Sequence, residues 1–270
     1  MTTDLHTHST ASDGQYTPTE LVRLAKERGL DMLALTDHDT VDGLEEAVQE
    51  GERIGLRVIR GIELSAKGYP TFHILGYGFD PEAPALSDLC RELKEGRDQR
   101  APRIIAFLEE QGVRIPLPEV EELAGGQIVG RPHFAQVLTR YGYVSSNREA
   151  FDRYLDTQEF HRRVERPKPP ARVCVETIRA AGGKTSLAHP YQIGVDDGKL
   201  GDIVRELAGF GLDAIECFYP KHTPEQQAFY LRLAEKYGLH VTGGSDFHGE
   251  QVKPDVQLAV LELETDWLIK

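Results

Sequence analysis

The chain has 270 residues, of which 40% are hydrophobic and 28% are charged, and its formal net charge is −13. This composition suffices for one large domain, or for one domain with an insertion, and the acidic balance argues against duplex DNA as a partner. We find no membrane span, no basic-then-apolar leader and no disulfide pattern among the three cysteines, so we expect a soluble, cytoplasmic protein without an obligate protein partner.

Strand and helix patterns alternate over the first third of the chain. The segment Thr17-Pro18-Thr19-Glu20 is a capping box with proline at the first helical position, so a helix should begin there. A second helix is predicted over residues 41–54. Short apolar strands are predicted over residues 2–6, 32–36, 57–64 and 72–77.

The same alternation returns in the last third. Strands are predicted over residues 185–188, 214–218 and 240–242, and helices over residues 172–181, 200–209 and 224–237. Regular alternation of strands and helices is typical of a parallel α/β sheet or barrel. The fold class predicted from the sequence is therefore α/β.

The middle of the chain has a different pattern. Helical periodicity without strand signals extends over residues 80–166, and several prolines close this stretch. We therefore predict a barrel made of residues 1–79 and 167–270, with a helical insertion over residues 80–166 that covers the active site.

Possible metal ligands occur at or just beyond the C-terminal ends of the predicted strands. His6 and His8, like Asp246 and His248, are two positions apart, and such side chains point to the same face of a strand. Parallel α/β folds build their active sites at this end. The candidates are His6, His8, Asp13, His38, Glu63, His73, His189, Asp246 and His248.

Each of these residues has an ordinary explanation when it is considered alone. A lone histidine at a strand end commonly serves only as a hydrogen-bonded polar group, Glu63 could cap a helix, and Asp13 beside Gly14 is typical of a turn. The joint pattern argues against coincidence. It also argues against a closed structural zinc site, which is usually rich in cysteine and four-coordinate. Mixed imidazole and carboxylate ligands suit two or three divalent ions, with manganese favoured over iron or zinc.

The motifs around these residues closely resemble those of the PHP (polymerase and histidinol phosphatase) family of metal-dependent phosphoesterases. The matching segments are Asp4-Leu5-His6-Thr7-His8, Ser12-Asp13-Gly14, Thr36-Asp37-His38-Asp39, Gly61-Ile62-Glu63, His73, Ala188-His189-Pro190 and Gly244-Ser245-Asp246-Phe247-His248. The resemblance implies a distorted, TIM-like (β/α)7 barrel with three metal ions. It implies that the ions are held by His6, His8, Glu63 and Asp246, by Glu63, His73 and His189, and by Asp13, His38 and His248, with Glu63 bridging.

The predicted insertion carries a further resemblance. The segment Gly130-Arg131-Pro132-His133-Phe134-Ala135 is similar to one in stand-alone members related to nucleoside 3',5'-bisphosphate phosphatases, whose relatives include 5'-to-3' exoribonucleases. Arg131 and His133 are therefore candidate phosphate-binding residues, since arginine suits bidentate recognition of phosphate. Alternatively, Arg131 could pair with an acid, and His133 could cap a helix.

Asp13 and His222 are the candidate catalytic residues. His222 follows a predicted strand, so it could contact the substrate or act as a general acid toward the leaving group. It could equally be a surface residue of its loop. In either case it is the third candidate for substrate binding, after Arg131 and His133.

The predicted activity is hydrolysis of a phosphate monoester of a small nucleotide by a hydroxide that bridges two metal ions. Nucleoside 3',5'-bisphosphates are the leading substrates. The alternative within the same class is a 5'-3' exoribonuclease that acts on short single-stranded RNA. An alternative of another class is a non-catalytic metal-binding regulatory module, and the complete set of ligands argues against it.

Overall fold

A computed structural model describes residues 1–69, 71–124, 129–164 and 168–268 of the chain. The chain separates into two compact units, which we call the barrel unit (Met1–Arg91 with Lys168–Lys270) and the helical unit (Glu92–Pro167). The predicted boundary at residues 166 and 167 lies outside the described residues. The division into residues 1–79 with 167–270 and residues 80–166 stays a prediction.

The centre of the barrel unit is an eight-stranded sheet with the strand order β7-β6-β5-β4-β3-β2-β1-β8. Beyond the ends of β1 and β7, Thr7 pairs in parallel with Phe247, and the amide of His8 donates to the carbonyl of Phe247 at 2.9 Å. The sheet therefore curls into a nearly closed barrel, which confirms the predicted fold class. The strands are β1 (Thr2–Thr7), β2 (Met32–Leu35), β3 (Arg57–Ser65), β4 (His73–Tyr77), β5 (Lys184–Leu187), β6 (Ala214–Phe218), β7 (His240–Gly243) and β8 (Leu261–Glu262).

Two strands depart from the parallel arrangement that the sequence predicted. Strand β4 runs antiparallel to both β3 and β5, and β8 runs antiparallel to β1. The cause at β4 is the short connection over residues 66–72, because a parallel crossover needs a dozen or more residues. His73 begins β4 and pairs with Ser65 near the end of β3. The reversed strand therefore presents His73 at the same edge of the barrel as the C-terminal ends of its neighbours.

The helix that follows the predicted capping box begins at Pro18, as the sequence predicts, whereas the helices predicted to begin at residues 41 and 200 begin at Leu44 and Asp197. At α1 the hydroxyl of Thr17 accepts from the amide of Glu20 at 3.2 Å, and the amide of Thr17 donates to the carboxylate of Glu20 at 2.9 Å. The helices are α1 (Pro18–Glu27), α2 (Leu44–Ile54), α3 (Pro84–Asp98), α4 (Arg100–Glu110), α5 (Leu117–Ala124), α6 (Arg131–Arg140), α7 (Asn147–Ala150), α8 (Gln158–Val164), α9 (Ala171–Ala180), α10 (Asp197–Gly209) and α11 (Pro224–Tyr237). Within the described residues, none of these helices combines the length and apolar character needed to cross a bilayer.

The helical unit has an apolar core of its own. Phe107, Phe134 and Phe160 are buried there together with Ile104 and Leu138. No strand occurs among its described residues, in agreement with the helical pattern of the sequence. Burial of this apolar surface is sufficient reason for these short helices to pack as one unit.

Candidate metal centre

All nine predicted metal ligands lie in the barrel unit, and the fold brings them together at one end of the barrel. His6 lies near the end of β1, and Glu63 lies near the end of β3. His38, His189 and Asp246 occupy the loops that follow β2, β5 and β7. Because these strands are parallel, their C-terminal ends meet, and side chains far apart in sequence come within a few ångströms of each other.

Glu63 is completely buried at the middle of this group. Its Oε2 lies 3.2 Å from Nε2 of His6, 3.2 Å from Nε2 of His8 and 3.1 Å from Nδ1 of His38. Three imidazoles, two from the end of β1 and one from the loop that follows β2, therefore approach one carboxylate oxygen.

The other carboxylate oxygen of Glu63 faces two further imidazoles. Its Oε1 lies 2.8 Å from Nδ1 of His73 and 2.8 Å from Nε2 of His189, and these two ring nitrogens are 3.4 Å apart. One carboxylate thus faces imidazole groups with both oxygens, which is the geometry expected of a ligand shared by two ions.

Asp246 also presents its two oxygens to different partners. Its Oδ1 points into the cluster, 3.3 Å from Nε2 of His8 and 3.7 Å from Nε2 of His6. Its Oδ2 accepts hydrogen bonds from the hydroxyl of Tyr219 at 2.9 Å and from the ammonium of Lys253 at 2.7 Å. These two donors hold the carboxylate with one oxygen directed at the histidines.

Asp13 forms a third side of the cluster and has the most exposed carboxylate in it, with 34% of its side chain accessible. Its Oδ1 lies 3.4 Å from Nε2 of His248, and its Oδ2 lies 3.9 Å from Nε2 of His38.

The described residues form three possible ligand groups, and within each group the ligand atoms all lie within 4.8 Å of one another. The groups are His6, His8, Glu63 and Asp246; His38, Glu63 and His73; and His8, Asp13, His38 and His248.

Several polar atoms at the centre are buried without a hydrogen-bond partner among the described residues. They include Nε2 of His6, both ring nitrogens of His8 and Oε2 of Glu63. Leaving such a group unsatisfied costs about 1–3 kcal/mol. These atoms approach one another closely without hydrogen-bond geometry, as ligands around a common cation do. The imidazole and carboxylate donors therefore fit divalent metal ions.

Protons balance the charge of the centre when no ion is bound. Burial by itself would lower the pKa of His6, but the carboxylates of Glu216 and Glu63 raise that pKa well above its usual value. Burial also opposes protonation of His8, yet the neighbouring carboxylates of Asp246 and Glu63 raise the pKa of His8 to about 9. Burial would raise the pKa of Glu63 and of Asp246, but neighbouring imidazoles hold both well below the usual range, chiefly His38 and His73 at Glu63 and His8 at Asp246.

Three residues other than glycine in this region have a positive φ: Asp39 at 56°, His189 at 25° and Asp246 at 56°. Such conformations are costly for residues with a side chain and concentrate at functional sites. Asp39 is held by the amide of Ser65, which donates to its Oδ1 at 2.7 Å. The backbone strain thus falls on two candidate ligands and on one residue beside a third.

Sequence reasoning missed several buried polar residues that support these ligands. On β6, the carboxylate of Glu216 contacts both Nδ1 of His6 and the amide of His189. On β1, Asp4 accepts from the amide and the hydroxyl of Ser245 at 2.9 and 2.6 Å, and burial raises the pKa of Asp4 to about 6. An acidic residue inside an otherwise apolar strand, as in Ala214-Ile215-Glu216-Cys217-Phe218, is the signal that could have revealed Glu216.

Arg131 and His133 belong to the helical unit and have local partners there. The guanidinium of Arg131 donates to Asp156 at 2.6 Å and to the carbonyl of Leu155 at 3.1 Å. Nδ1 of His133 accepts from the amide of Gly130 at 3.0 Å, at the start of α6. Both structural alternatives considered for these residues are therefore present, and their role in binding phosphate stays a prediction.

His222 lies in the barrel unit and is only 6% exposed, so the alternative of a surface residue is wrong. Its Nδ1 donates to the carbonyl of Cys217 at 2.9 Å, and its buried Nε2 has no hydrogen-bond partner in the part of the chain that the structure describes. The rings of Tyr191, Tyr219 and Tyr230 surround it. Burial lowers the pKa of His222, which favours the neutral ring. Its role in catalysis or substrate binding stays a prediction.

Comparison with known families agrees with the fold and with the cluster of ligands. The model of the PHP domain family matches residues 4–158, which is more than half of the chain. The chain therefore belongs to the PHP domain family, as the sequence motifs predicted.

Similar proteins carry names from one broad class of reaction. The chain is 35% identical over 246 residues to a 5'-3' exoribonuclease of Haemophilus influenzae, with 91% of this chain and 89% of the relative aligned. It is 35% identical to a phosphoribosyl 1,2-cyclic phosphate 1,2-diphosphodiesterase of Eggerthella lenta, over 93% and 95% of the two chains. It is 34% identical to a 3',5'-nucleoside bisphosphate phosphatase of Chromobacterium violaceum, over 91% and 86%. These relatives confirm the prediction of a hydrolase that acts on phosphoric esters.

A solved structure has the same fold over nearly the whole chain. It is an amidohydrolase from Chromobacterium violaceum with bound sulfate and no metal, and it superposes with a TM-score of 0.79 at 32% sequence identity. The match covers 97% of this chain and 92% of that structure. The similarity therefore includes residues from both units.

Proposed function

We propose that this enzyme hydrolyses a phosphate monoester of small nucleotides, with nucleoside 3',5'-bisphosphates as the leading substrates. The observation that carries the proposal is the buried carboxylate of Glu63, which faces imidazoles with both of its oxygens. A site of this kind suits a cluster of ions that can act on a phosphoryl group. The choice of substrate is supported by the 34% identity to the bisphosphate phosphatase over 91% of this chain.

The donors suit two or three divalent ions, and we propose manganese. When bound, such ions lower the pKa of coordinated water from about 15.7 to about 7 and neutralise phosphoryl oxygens. We propose the grouping that the family resemblance implies: His6, His8, Glu63 and Asp246 for one ion, Glu63, His73 and His189 for a second, and Asp13, His38 and His248 for a third. The contacts of Glu63 Oε1 with His73 and His189 support the second group.

The protein's own residues would orient the substrate. Asp13 has the most accessible carboxylate of the cluster, so we propose that it is a catalytic residue. For His222, a neutral ring that donates from Nδ1 leaves Nε2 as an acceptor, and we propose that it accepts a hydrogen bond from a substrate hydroxyl. A general-acid role would require a second proton on this buried ring. Arg131 and His133 are proposed to bind phosphate.

The direct test is release of inorganic phosphate from adenosine 3',5'-bisphosphate by protein reconstituted with manganese. We expect release by the parent enzyme and its loss in Asp13→Ala and His248→Ala. His240→Ala is the matched control, because His240 is exposed at the start of β7, away from the ligand cluster. No release by the fully metallated parent would overturn the small-nucleotide proposal.

The second candidate is a 5'-3' exoribonuclease that acts on short RNA, supported by the 35% identity to the relative of that name. The products separate the two candidates, because a phosphatase releases inorganic phosphate and an exonuclease releases mononucleotides. A cyclic phosphodiester belongs in the same assay, given the diphosphodiesterase relative. Hydrolysis of none of these substrates by metallated protein would favour the non-catalytic regulatory module.

A further inference from the structure

Glu216 is a completely buried carboxylate that contacts two candidate metal ligands without belonging to a ligand group itself. Its Oε1 lies 3.0 Å from Nδ1 of His6, and its Oε2 accepts from the backbone amide of His189 at 2.6 Å. His6 lies on β1 and His189 follows β5, so one side chain on β6 supports two distant segments of the barrel.

The contact with Glu216 decides how His6 presents its ring. An ionised carboxylate can only accept hydrogen bonds, so the proton of neutral His6 must lie on Nδ1. The lone pair is then on Nε2, which lies 3.2 Å from Oε2 of Glu63 and 3.7 Å from Oδ1 of Asp246. The tautomer that Glu216 imposes is therefore the one that can bind a cation at the centre of the cluster.

The contact with His189 acts on the backbone. His189 has a φ of 25°, which is an unfavourable conformation for a residue with a side chain. The 2.6 Å hydrogen bond from its amide to Glu216 holds this conformation. With the backbone fixed in this way, Nε2 of His189 lies 2.8 Å from Oε1 of Glu63.

Glu216 is energetically expensive to bury. Among the described residues no lysine or arginine lies within ion-pair distance of it, and His6 is its one titratable partner at that distance. An isolated buried charge is strongly unfavourable unless it is paired or fully hydrogen-bonded. An apolar residue at this position would stabilise the buried strand more than a carboxylate does. The presence of Glu216 therefore indicates a functional requirement.

We propose that Glu216 is a positioning residue of the metal centre: it fixes the tautomer of His6 and the backbone of His189, so that both rings are ready to bind metal. The inference rests on the proposed metal centre. Partners of this kind typically change metal affinity by about 10–100-fold when they are replaced.

Glu216→Gln tests the inference with almost no change in volume. Glutamine has one acceptor oxygen and one donor amide group, so it cannot accept from both His6 and His189. We expect manganese affinity, measured by competition with a chelator on folded protein, to fall by about 10–100-fold. Glu50→Gln is the matched control, because Glu50 is also buried but pairs with Arg23 and Arg53 on α1 and α2.

A double-mutant cycle with His6→Ala separates positioning from a general loss of structure. If Glu216 acts partly through His6, its replacement should cost less affinity in the His6→Ala background than in the parent. Glu216→Asp keeps two acceptor oxygens on a shorter side chain and should bind metal with an affinity between those of the parent and Glu216→Gln. It remains the test if Glu216→Gln does not fold.

The outcomes are distinct. A parent protein that binds no manganese would overturn the proposed function itself. Metal binding by the parent together with equal binding by folded Glu216→Gln or Glu216→Asp would overturn the positioning role alone. If the losses of metal affinity are fully additive in the cycle with His6→Ala, Glu216 does not act through the tautomer of His6.

Discussion

The barrel unit and the helical unit handle polar groups in opposite ways. The barrel unit buries His6, Glu63, Asp246 and many other polar side chains, whereas none of the described residues between 92 and 164 is a buried polar or charged one. Charges of the helical unit pair at its surface instead, as Arg148 does with Asp152. Burial of charge is costly without a compensating partner. The buried polar groups of the barrel unit therefore lower its stability and serve its candidate site, whereas the helical unit has an ordinary apolar core.

Removing the charge of Glu63 should have the largest effect. Glu63→Gln leaves the volume unchanged but replaces one acceptor oxygen that faces imidazoles with a donor. We expect loss of bound metal and a fall in kcat on the order of 1,000-fold, because metal ions contribute several kcal/mol to such reactions. The measurements are metal content and phosphate release. A variant that keeps full activity would contradict the central role of Glu63.

Gly244→Ala should disturb the barrel by crowding alone. A Cβ at this position would lie 2.4 Å from Cβ of His6 and 2.5 Å from its backbone nitrogen. We expect the free energy of unfolding to fall by about 1–3 kcal/mol, with weaker metal binding because His6 is displaced. The control is Gly209→Ala in α10, where a Cβ meets no atom within 4 Å and stability should be maintained. Denaturant unfolding measures the free energy of unfolding of both variants. Equal values for the two variants would contradict the predicted clash at residue 244.

Arg131→Ala tests whether the helical unit contributes to chemistry. A partly exposed ion pair with Asp156 is worth at most about 1 kcal/mol to stability. If Arg131 grips phosphate, kcat/KM should fall about tenfold or more, because a lost charged hydrogen bond costs about 1.5–3 kcal/mol, while metal content stays constant. Asp156→Asn removes the partner and keeps the guanidinium, so it should leave kcat/KM nearly unchanged. Normal kinetics in Arg131→Ala would eliminate its phosphate role.

The smallest expected effect is a pH dependence confined to the barrel unit. In metal-free protein the pKa of His8 is raised to about 9 and that of His6 is raised as well, so their protonated forms stabilise the fold below about pH 7. This contribution should be lost as pH rises toward about 9, so the Tm of metal-free protein should fall by a few degrees. Metal binding requires neutral ligands, so affinity should rise over the same range.

Thermal unfolding with and without manganese between pH 7 and 9 measures both trends. The gap in Tm between the two forms should widen as pH rises. A gap that narrows would contradict the raised pKa of His6 and of His8. His240→Ala loses a ring that stacks on Trp267, but its gap in Tm should widen with pH as in the parent.

Local sequence patterns predicted most of the fold and singled out the candidate ligands that the fold gathers at one end of the barrel, because the relevant signals are short. The motif around His6 and His8 and the motif around Asp246 and His248 each occupy a strand end, and a strand end has a fixed place in a parallel α/β fold. Strand β6 was predicted over the same residues, Ala214–Phe218, that the structure shows.

The features that sequence reasoning missed depend on tertiary contacts. Strand β8 has only two residues and pairs with β1, so it carries no alternating pattern. The direction of β4 depends on the length of one loop rather than on the residues of the strand. Glu216 and Lys253 have no ligand spacing of their own, and they acquire a role only where folding brings them against His6 and Asp246.

The contacts between the end of β1 and the segment that follows β7 have a consequence for biosynthesis. The amide of Asp246 donates to the carbonyl of His6 at 2.8 Å, and His8 bonds in the same way to Phe247, so residues some 240 positions apart complete the same wall. During translation, residues 6–8 are synthesised long before residues 246–248. Contacts between segments so distant in sequence form late in folding. The nine candidate ligands can therefore come together only after residue 248 has been synthesised, so a metal ion that needs all of them can bind only after that point.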